Sequence, residues 1–220
     1  MMKLYGDPGS GSTRRVFAAL YHIGVEFEFE LIDLFKGDNR TPEFLALNPN
    51  GMIPVLVDDD VVLWEASAIN LHLTEKFGSD LLPAGSNRAL TLQWMFWAAE
   101  HWRQGPPALF GERIVKVAMG VPQDPRVIAD ADASIRKFAA VLEQHLSNRR
   151  YVVGERFSLA DIDLAATFSH LTRTHPPYAE FPNLMAWHQR LLDEVPAWSR
   201  TRDEVEQRMA ALMAMIGGTK

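Results

Sequence analysis

Apolar positions along the first eighty residues change period several times. Lys3-Leu4-Tyr5 reads as a short strand, followed by the loop Gly6-Asp7-Pro8-Gly9-Ser10-Gly11-Ser12. Val16, Ala19, Leu20 and Ile23 then recur on one helix face, and Gly24 supplies a stop. From Val25 to Leu31 apolar and acidic residues alternate, which predicts a strand with one buried face. Thr41-Pro42-Glu43 has the order of an N-cap, a first-turn proline and an acidic first turn, so a short helix is expected up to Asn48-Pro49. Val55-Leu56-Val57 and Val61-Val62-Leu63-Trp64 flank Asp58-Asp59-Asp60, which predicts a hairpin with a solvated turn. Ile69, Leu73 and Phe77 form a last helix face, closed by Gly78.

The predicted order is βαβαββα. After the turn-rich stretch Gly78 to Ser86 no strand pattern returns. From Arg88 the chain reads as helical, broken at Gly105-Pro106-Pro107, Gly120-Val121-Pro122, Gly154 and Pro176-Pro177. Two domains are expected: an α/β domain over residues 1–80 and an all-helical domain over 87–220.

Composition narrows the function. The 220 residues carry a formal charge of -6, which disfavours a nucleic-acid partner. With no cysteine, the chain has no disulfide, no thiolate metal site and no cysteine nucleophile. No apolar run is long enough to span a bilayer, and the start Met1-Met2-Lys3-Leu4 lacks an apolar leader core. A soluble, cytoplasmic protein is expected. The seven histidines show no metal-ligand spacing, so no metal is expected.

Four segments in order resemble the cytosolic glutathione transferases. Lys3-Leu4-Tyr5-Gly6, with Ser10 and the helix start Thr13-Arg14-Arg15-Val16, looks like the bacterial serine-type (phi/theta-like) members. Asn48-Pro49-Asn50-Gly51-Met52-Ile53-Pro54-Val55-Leu56 resembles the family's N-P-x-G-x-[VI]-P-x-L segment. Trp64-Glu65-Ala66-Ser67-Ala68-Ile69 resembles its E-S-x-A-I segment, and Ser158-Leu159-Ala160-Asp161-Ile162 its S-x-A-D-I helix start. The resemblance implies a thioredoxin-like first domain that binds glutathione as co-substrate. It also implies a helical second domain completing a pocket for a small hydrophobic electrophile, and a homodimer. The activity implied is attack of the glutathione thiolate on that electrophile, or reduction of an organic peroxide.

The chemistry sets a requirement. A free thiol with a pKa of about 8.5 is only about 3% ionised at pH 7. Lowering that pKa by about two units takes about 2.7 kcal/mol of preferential thiolate stabilisation. A hydrogen bond to a charged acceptor supplies about 1.5–3 kcal/mol, and a helix N-terminus about 0.3–1 kcal/mol. Ser10, at a glycine-flanked helix start, is the candidate donor by resemblance; Ser12 is the alternative, and helix capping is the other job for either.

The remaining site residues come from the resemblance. Ile53-Pro54 is expected to be cis, with the Ile53 backbone pairing with the cysteinyl part of glutathione. Glu65 is expected to receive the γ-glutamyl amine. Ala66 stands where the family has serine, so only its backbone N–H is offered to the γ-glutamyl carboxylate. Arg40, in Asn39-Arg40, is the candidate for the glycyl carboxylate, and Met52 replaces a polar residue. Ala66 and Met52 favour an alternative, a non-catalytic transferase-like binding protein. A disulfide reductase using glutathione alone also stays open.

Trp94, Trp97 and His101 form a stripe that reads as core or subunit contact, with a pocket wall as the other reading. Glu112, Arg113 and Lys116 read as a surface charge cluster. Ser158 and Asp161 form a structural capping pair. The segment from Asp203, with Met209, Met213 and Met215, either covers a site or packs on the surface.

Overall fold

We describe a computed structural model over residues 2–217, with side chains to residue 214. Four strands form one sheet: β1 (Met2–Gly6), β2 (Glu28–Leu31), β3 (Val55–Asp58) and β4 (Val61–Trp64). Their order is β2-β1-β3-β4, with β1 parallel to β2 and antiparallel to β3. Helices α1 (Gly11–Ile23), α2 (Pro42–Leu47) and α3 (Ala66–Phe77) complete the expected βαβαββα order.

Strand alternation sorts the core into two layers. Leu4 and Leu56 point to one face, where they meet Val16, Phe17 and Leu20 of α1 and Ile69 and Leu73 of α3. Tyr5 and Val55, one residue along, point to the other face, where Val55 and Ile32 cluster with Phe44 of α2. The local stops hold: Gly24 and Gly78 close α1 and α3 in the left-handed conformation, and the Thr41 hydroxyl accepts the Phe44 N–H at 3.3 Å.

Two expectations change here. The strand over Val25–Leu31 is confined to Glu28–Leu31 and is exposed throughout, because β2 is an edge strand. The Asp58-Asp59-Asp60 turn is only partly solvated. Asp58 belongs to β3 and is buried, held by Lys76 Nζ at 2.7 Å and His72 Nε2 at 2.8 Å.

The later helices are α4 (Ser86–Trp97), α5 (Gly105–Phe110), α6 (Pro125–Leu146), α7 (Leu159–Ala165), α8 (Leu171–Thr174), α9 (Pro182–Glu194) and α10 (Pro196–Gly217). The chain forms two compact units. One runs to Leu82 and takes in the segment from Pro196 onward; the other is Pro83–Val195. The expected helical domain over 87–220 is thus cut short, since α10 packs with the first unit. The cause is long-range pairing: the Tyr21 hydroxyl donates to Glu204 at 2.7 Å, and Arg14 Nε donates to Thr201 Oγ1 at 2.9 Å. Met209 is buried and Met213 is exposed, so this helix packs along one face; the Met215 side chain lies outside the described residues.

In the helical unit, Trp97 and His101 pack on Phe138 of α6, and Trp94 lies 4.5 Å from the His145 ring. The stripe runs from buried Trp94 through half-buried Trp97 to exposed His101, so only its first member is core. Asp161 is buried and accepts from Val152 N–H, Ser158 N–H and Oγ–H, and Trp187 Nε1–H, all within 3.0 Å. Glu112 departs from the surface cluster expected. It is buried, accepts the Asp124 N–H at 2.7 Å and pairs with Lys116.

Candidate active site

The sheet register assembles the site. Tyr5, Val55 and Trp64 pair in one row across β1, β3 and β4. Neighbouring strands lie about 4.8 Å apart, so the row spans about 10 Å. The residues just beyond that row are Gly6 and the loop to Ser10, then Pro54, then Glu65. Three segments far apart in sequence thus meet at one end of the sheet. Helices α1 and α3 both begin there, and their N-terminal N–H groups favour an anion.

Ser10 is the N-cap of α1, with φ -84° and ψ 125°. Its Oγ accepts the Thr13 N–H at 3.5 Å, a long bond. Accepting uses a lone pair, so the hydroxyl keeps its proton for another partner. Ser12 is engaged differently: its Oγ accepts from Arg15 Nη2 at 3.4 Å, while Arg15 Nη1 donates to Ser67 Oγ at 3.0 Å. Arg15 therefore ties the first turns of α1 and α3 together.

The Ile53–Pro54 bond is cis. The loop before it is braced by Asn48, whose Nδ2 donates to the Met52 carbonyl at 2.7 Å and whose Oδ1 accepts the Asn50 N–H at 3.1 Å. Asn39 Nδ2 donates to the Gly51 carbonyl at 2.7 Å, which brings the Asn39-Arg40 turn onto this loop. Gly51 has φ 62°, a conformation that favours glycine, and a Cβ there would lie 3.1 Å from the Asn39 carbonyl oxygen. The Met52 side chain is exposed.

Glu65 caps α3 at φ 69° and ψ 108°, an uncommon conformation for a residue with a side chain. Its carboxylate is exposed and makes no capping bond. Strain of this kind, about 1–3 kcal/mol, persists where the surroundings impose it and gathers at functional sites. Ala66 is buried with Ile69 and Leu73, so its methyl belongs to the core and its backbone N–H, at the start of α3, is what it offers.

Sequence reasoning missed Asp7, Asp33 and Arg208. Asp7 Oδ1 accepts the Gly9 N–H at 2.8 Å, and the Asp7 carbonyl accepts the Ser10 N–H at 2.9 Å, so Asp7 shapes the Ser10 loop from both ends of the residue. A loop acid beside Ser10 was visible in the sequence; its partner on α10 was not. Among the described residues, no group of three or more histidine or acidic side chains is gathered for a metal, and no helix is long and apolar enough to cross a membrane.

Known proteins share this architecture. Residues 1–75 match the family model "Glutathione S-transferase, N-terminal domain", and residues 109–194 match "Glutathione S-transferase, C-terminal domain". Glutathione S-transferase 3 of Zea mays is 35% identical over 207 residues, covering 91% of this chain and 92% of its own. The crystal structure of glutathione transferase F7 from Populus trichocarpa superimposes with a TM-score of 0.87 at 29% identity, covering 93% of this chain and 99% of that one. A theta class glutathione S-transferase from Xanthomonas axonopodis pv. citri, solved with glutathione bound, gives 0.83 at 29% identity, covering 91% and 96%. Two-domain matching and the extent of these similarities carry one conclusion: the chain belongs to the glutathione S-transferase family.

Proposed function

We propose that this transferase is of the serine type and that Ser10 activates the glutathione thiol. The single observation that carries the reading is the convergence of Ser10, Pro54 and Glu65 at the end of the sheet where α1 and α3 begin. Glutathione lies across that end. Its γ-glutamyl amine pairs with Glu65, and its γ-glutamyl carboxylate takes the Ala66 N–H. Its cysteinyl amide groups pair with the Ile53 backbone, and its glycyl carboxylate meets Arg40.

The Ser10 Oγ–H donates to the sulfur as the thiol proton leaves for solvent. One such bond and the α1 N-terminus together stabilise the thiolate by about 2–4 kcal/mol, enough for the two-unit shift that neutral pH demands. The sulfur lone pair then forms a bond to an electrophilic carbon, and the leaving group departs with its bonding electrons. Both serine oxygens only accept in these contacts, so the preference for Ser10 over Ser12 rests on its place as the N-cap of α1, in the loop shaped by Asp7.

The substrate class is a small hydrophobic electrophile, and the chain works as a cytoplasmic homodimer. The exposed Val61, Val62 and Trp64 on the edge strand β4 support a partner there. Light scattering is expected to give twice the 24.8 kDa chain mass.

Titrating the protein with glutathione across pH, read at the thiolate band near 240 nm, tests the mechanism. A saturating thiolate signal at neutral pH is expected, and Ser10→Ala is expected to move the bound thiol back towards about 8.5. Unchanged ionisation in Ser10→Ala would transfer the role to Ser12 or to a backbone donor.

A further inference from the structure

We propose that Arg208 of α10 is a positioning residue for catalysis, holding the Ser10 loop and the Asn39-Arg40 turn in register through Asp7 and Asp33. The proposal rests on the reading of Ser10 as thiolate donor. Arg208 is nearly buried, and its guanidinium forks onto Asp7: Nε lies 3.0 Å from both carboxylate oxygens and Nη2 lies 2.8 Å from Oδ2. Nη2 also lies 3.2 Å from Asp33 Oδ2. One cation thus joins two buried carboxylates that follow β1 and β2, the paired strands of the sheet edge.

Each carboxylate passes the restraint on to a loop. Asp7 Oδ1 fixes the Gly9 N–H, and the Asp7 carbonyl fixes the Ser10 N–H. The stem of Arg208 also lies against Gly9, where an added Cβ would be 3.3 Å from Cγ. Asp33 Oδ1 accepts the Phe35 N–H at 3.0 Å and the Lys36 N–H at 3.3 Å, and the Asp33 N–H donates to Asp38 Oδ2 at 2.9 Å. Asp38 opens the turn that ends at Arg40. Burial raises the Asp33 carboxyl, but Arg208 together with the Phe35 and Lys36 N–H groups outweighs it and holds the group below the ordinary carboxylate range.

The geometry needs a planar fork. Lysine carries the same charge as a point and cannot bond Asp7 bidentately while reaching Asp33. A second consequence is electrostatic. Asp7 and Asp33 would otherwise present two negative charges beside a forming thiolate, and Arg208 offsets them.

The test uses Arg208→Lys and Asp7→Asn, with Ser10→Ala alone and combined with Arg208→Lys. Readouts are the melting temperature, the pKa of bound glutathione by thiolate absorption, and kcat separately from KM. In Arg208→Lys the bound thiol pKa is expected to rise by about one unit, tenfold less thiolate at fixed pH near neutrality. In Asp7→Asn it is expected to rise by less, because loss of the Asp7 charge offsets part of what the loosened loop costs. In Arg208→Lys, kcat is expected to fall more than KM rises. In the Ser10→Ala background, Arg208→Lys is expected to add nothing to the thiol pKa. A lowered melting temperature with an unchanged bound-thiol pKa and kcat makes Arg208 a structural residue only and overturns the proposal, leaving the Ser10 reading intact. An unshifted Ser10→Ala defeats the Ser10 reading itself. An Arg208→Lys effect that persists undiminished without the Ser10 hydroxyl overturns the route through Ser10.

Discussion

The guanidinium of Arg14 lies 3.8 Å over the ring of Trp198, although the two residues stand on opposite ends of the chain. Arg14 is buried on α1, and its Nε donates to Thr201, one helical turn beyond Trp198. A buried cation against an aromatic face is stabilised by about 2 kcal/mol. The pair anchors α10 to the helix that begins at Ser10.

Trp198→Ala is therefore expected to destabilise the protein by about 3–5 kcal/mol, through the cavity left and the cation exposed. At about 2–4 °C per kcal/mol the melting temperature should fall by at least about 6 °C. A fall under about 2 °C in thermal melting would show that α10 is not held this way.

Glu65 separates binding from stability. Glu65→Gln keeps the backbone and removes the charge, so glutathione affinity should fall roughly 10- to 150-fold, the worth of a charged hydrogen bond. Glu65→Gly should lose affinity at least as far while its melting temperature stays level or rises, because glycine adopts φ 69° without strain. Calorimetry and melting on both variants check this; a large loss of stability in Glu65→Gly would contradict the strain.

Two buried carboxylates should give opposite pH dependences. Lys76 and His72 hold the Asp58 carboxyl below its usual range, against burial, which raises it. Its folded pKa lies under the unfolded value of about 3.9, so its contribution is present above that pH and is lost as pH falls through the folded pKa. Lys76→Met should melt lower than the parent at pH 6, by roughly 2–4 °C for about 1 kcal/mol, and the gap should close towards pH 2.5. A gap independent of pH would mean that packing, not charge, carries the effect.

Burial pushes the Asp161 carboxyl up to about 6, against four donors that lower it. Its linked contribution is full below about 4 and is lost as pH rises through about 6. Asp161→Asn removes that titration and sets an amide against an N–H or O–H donor. It is expected to cost about 2 kcal/mol, or roughly 4–8 °C, with a flatter stability profile between pH 4 and 6. A profile unchanged in shape would assign that slope to other groups.

Local signals were legible wherever one segment decides its own geometry. Thr41 and Ser158 cap as their spacing predicts, Gly24 and Gly78 stop their helices, and Ser10 caps α1. The motif around Ile53-Pro54 pointed to a cis bond by resemblance, and the bond is cis. The βαβαββα order was readable for the same reason: period and punctuation are properties of neighbouring residues.

What only the tertiary structure decided are the pairings that close long loops. Arg208 meets Asp7 across 201 residues, and no periodicity marks either partner. The same holds for Lys76 and His72 on Asp58, which took the first residue of an expected solvated turn into a buried ion pairing and left Asp59 and Asp60 exposed. Glu112 likewise looked like surface charge until the Asp124 N–H was placed upon it. Sequence by itself determines which backbone segments form; burial of a charge depends on which distant segment arrives to neutralise it. That arrival is set by packing of the assembled sheet and helices. For this reason the sequence pointed to Ser10 and Glu65, and the fold alone revealed the arginine that binds the Ser10 loop to α10.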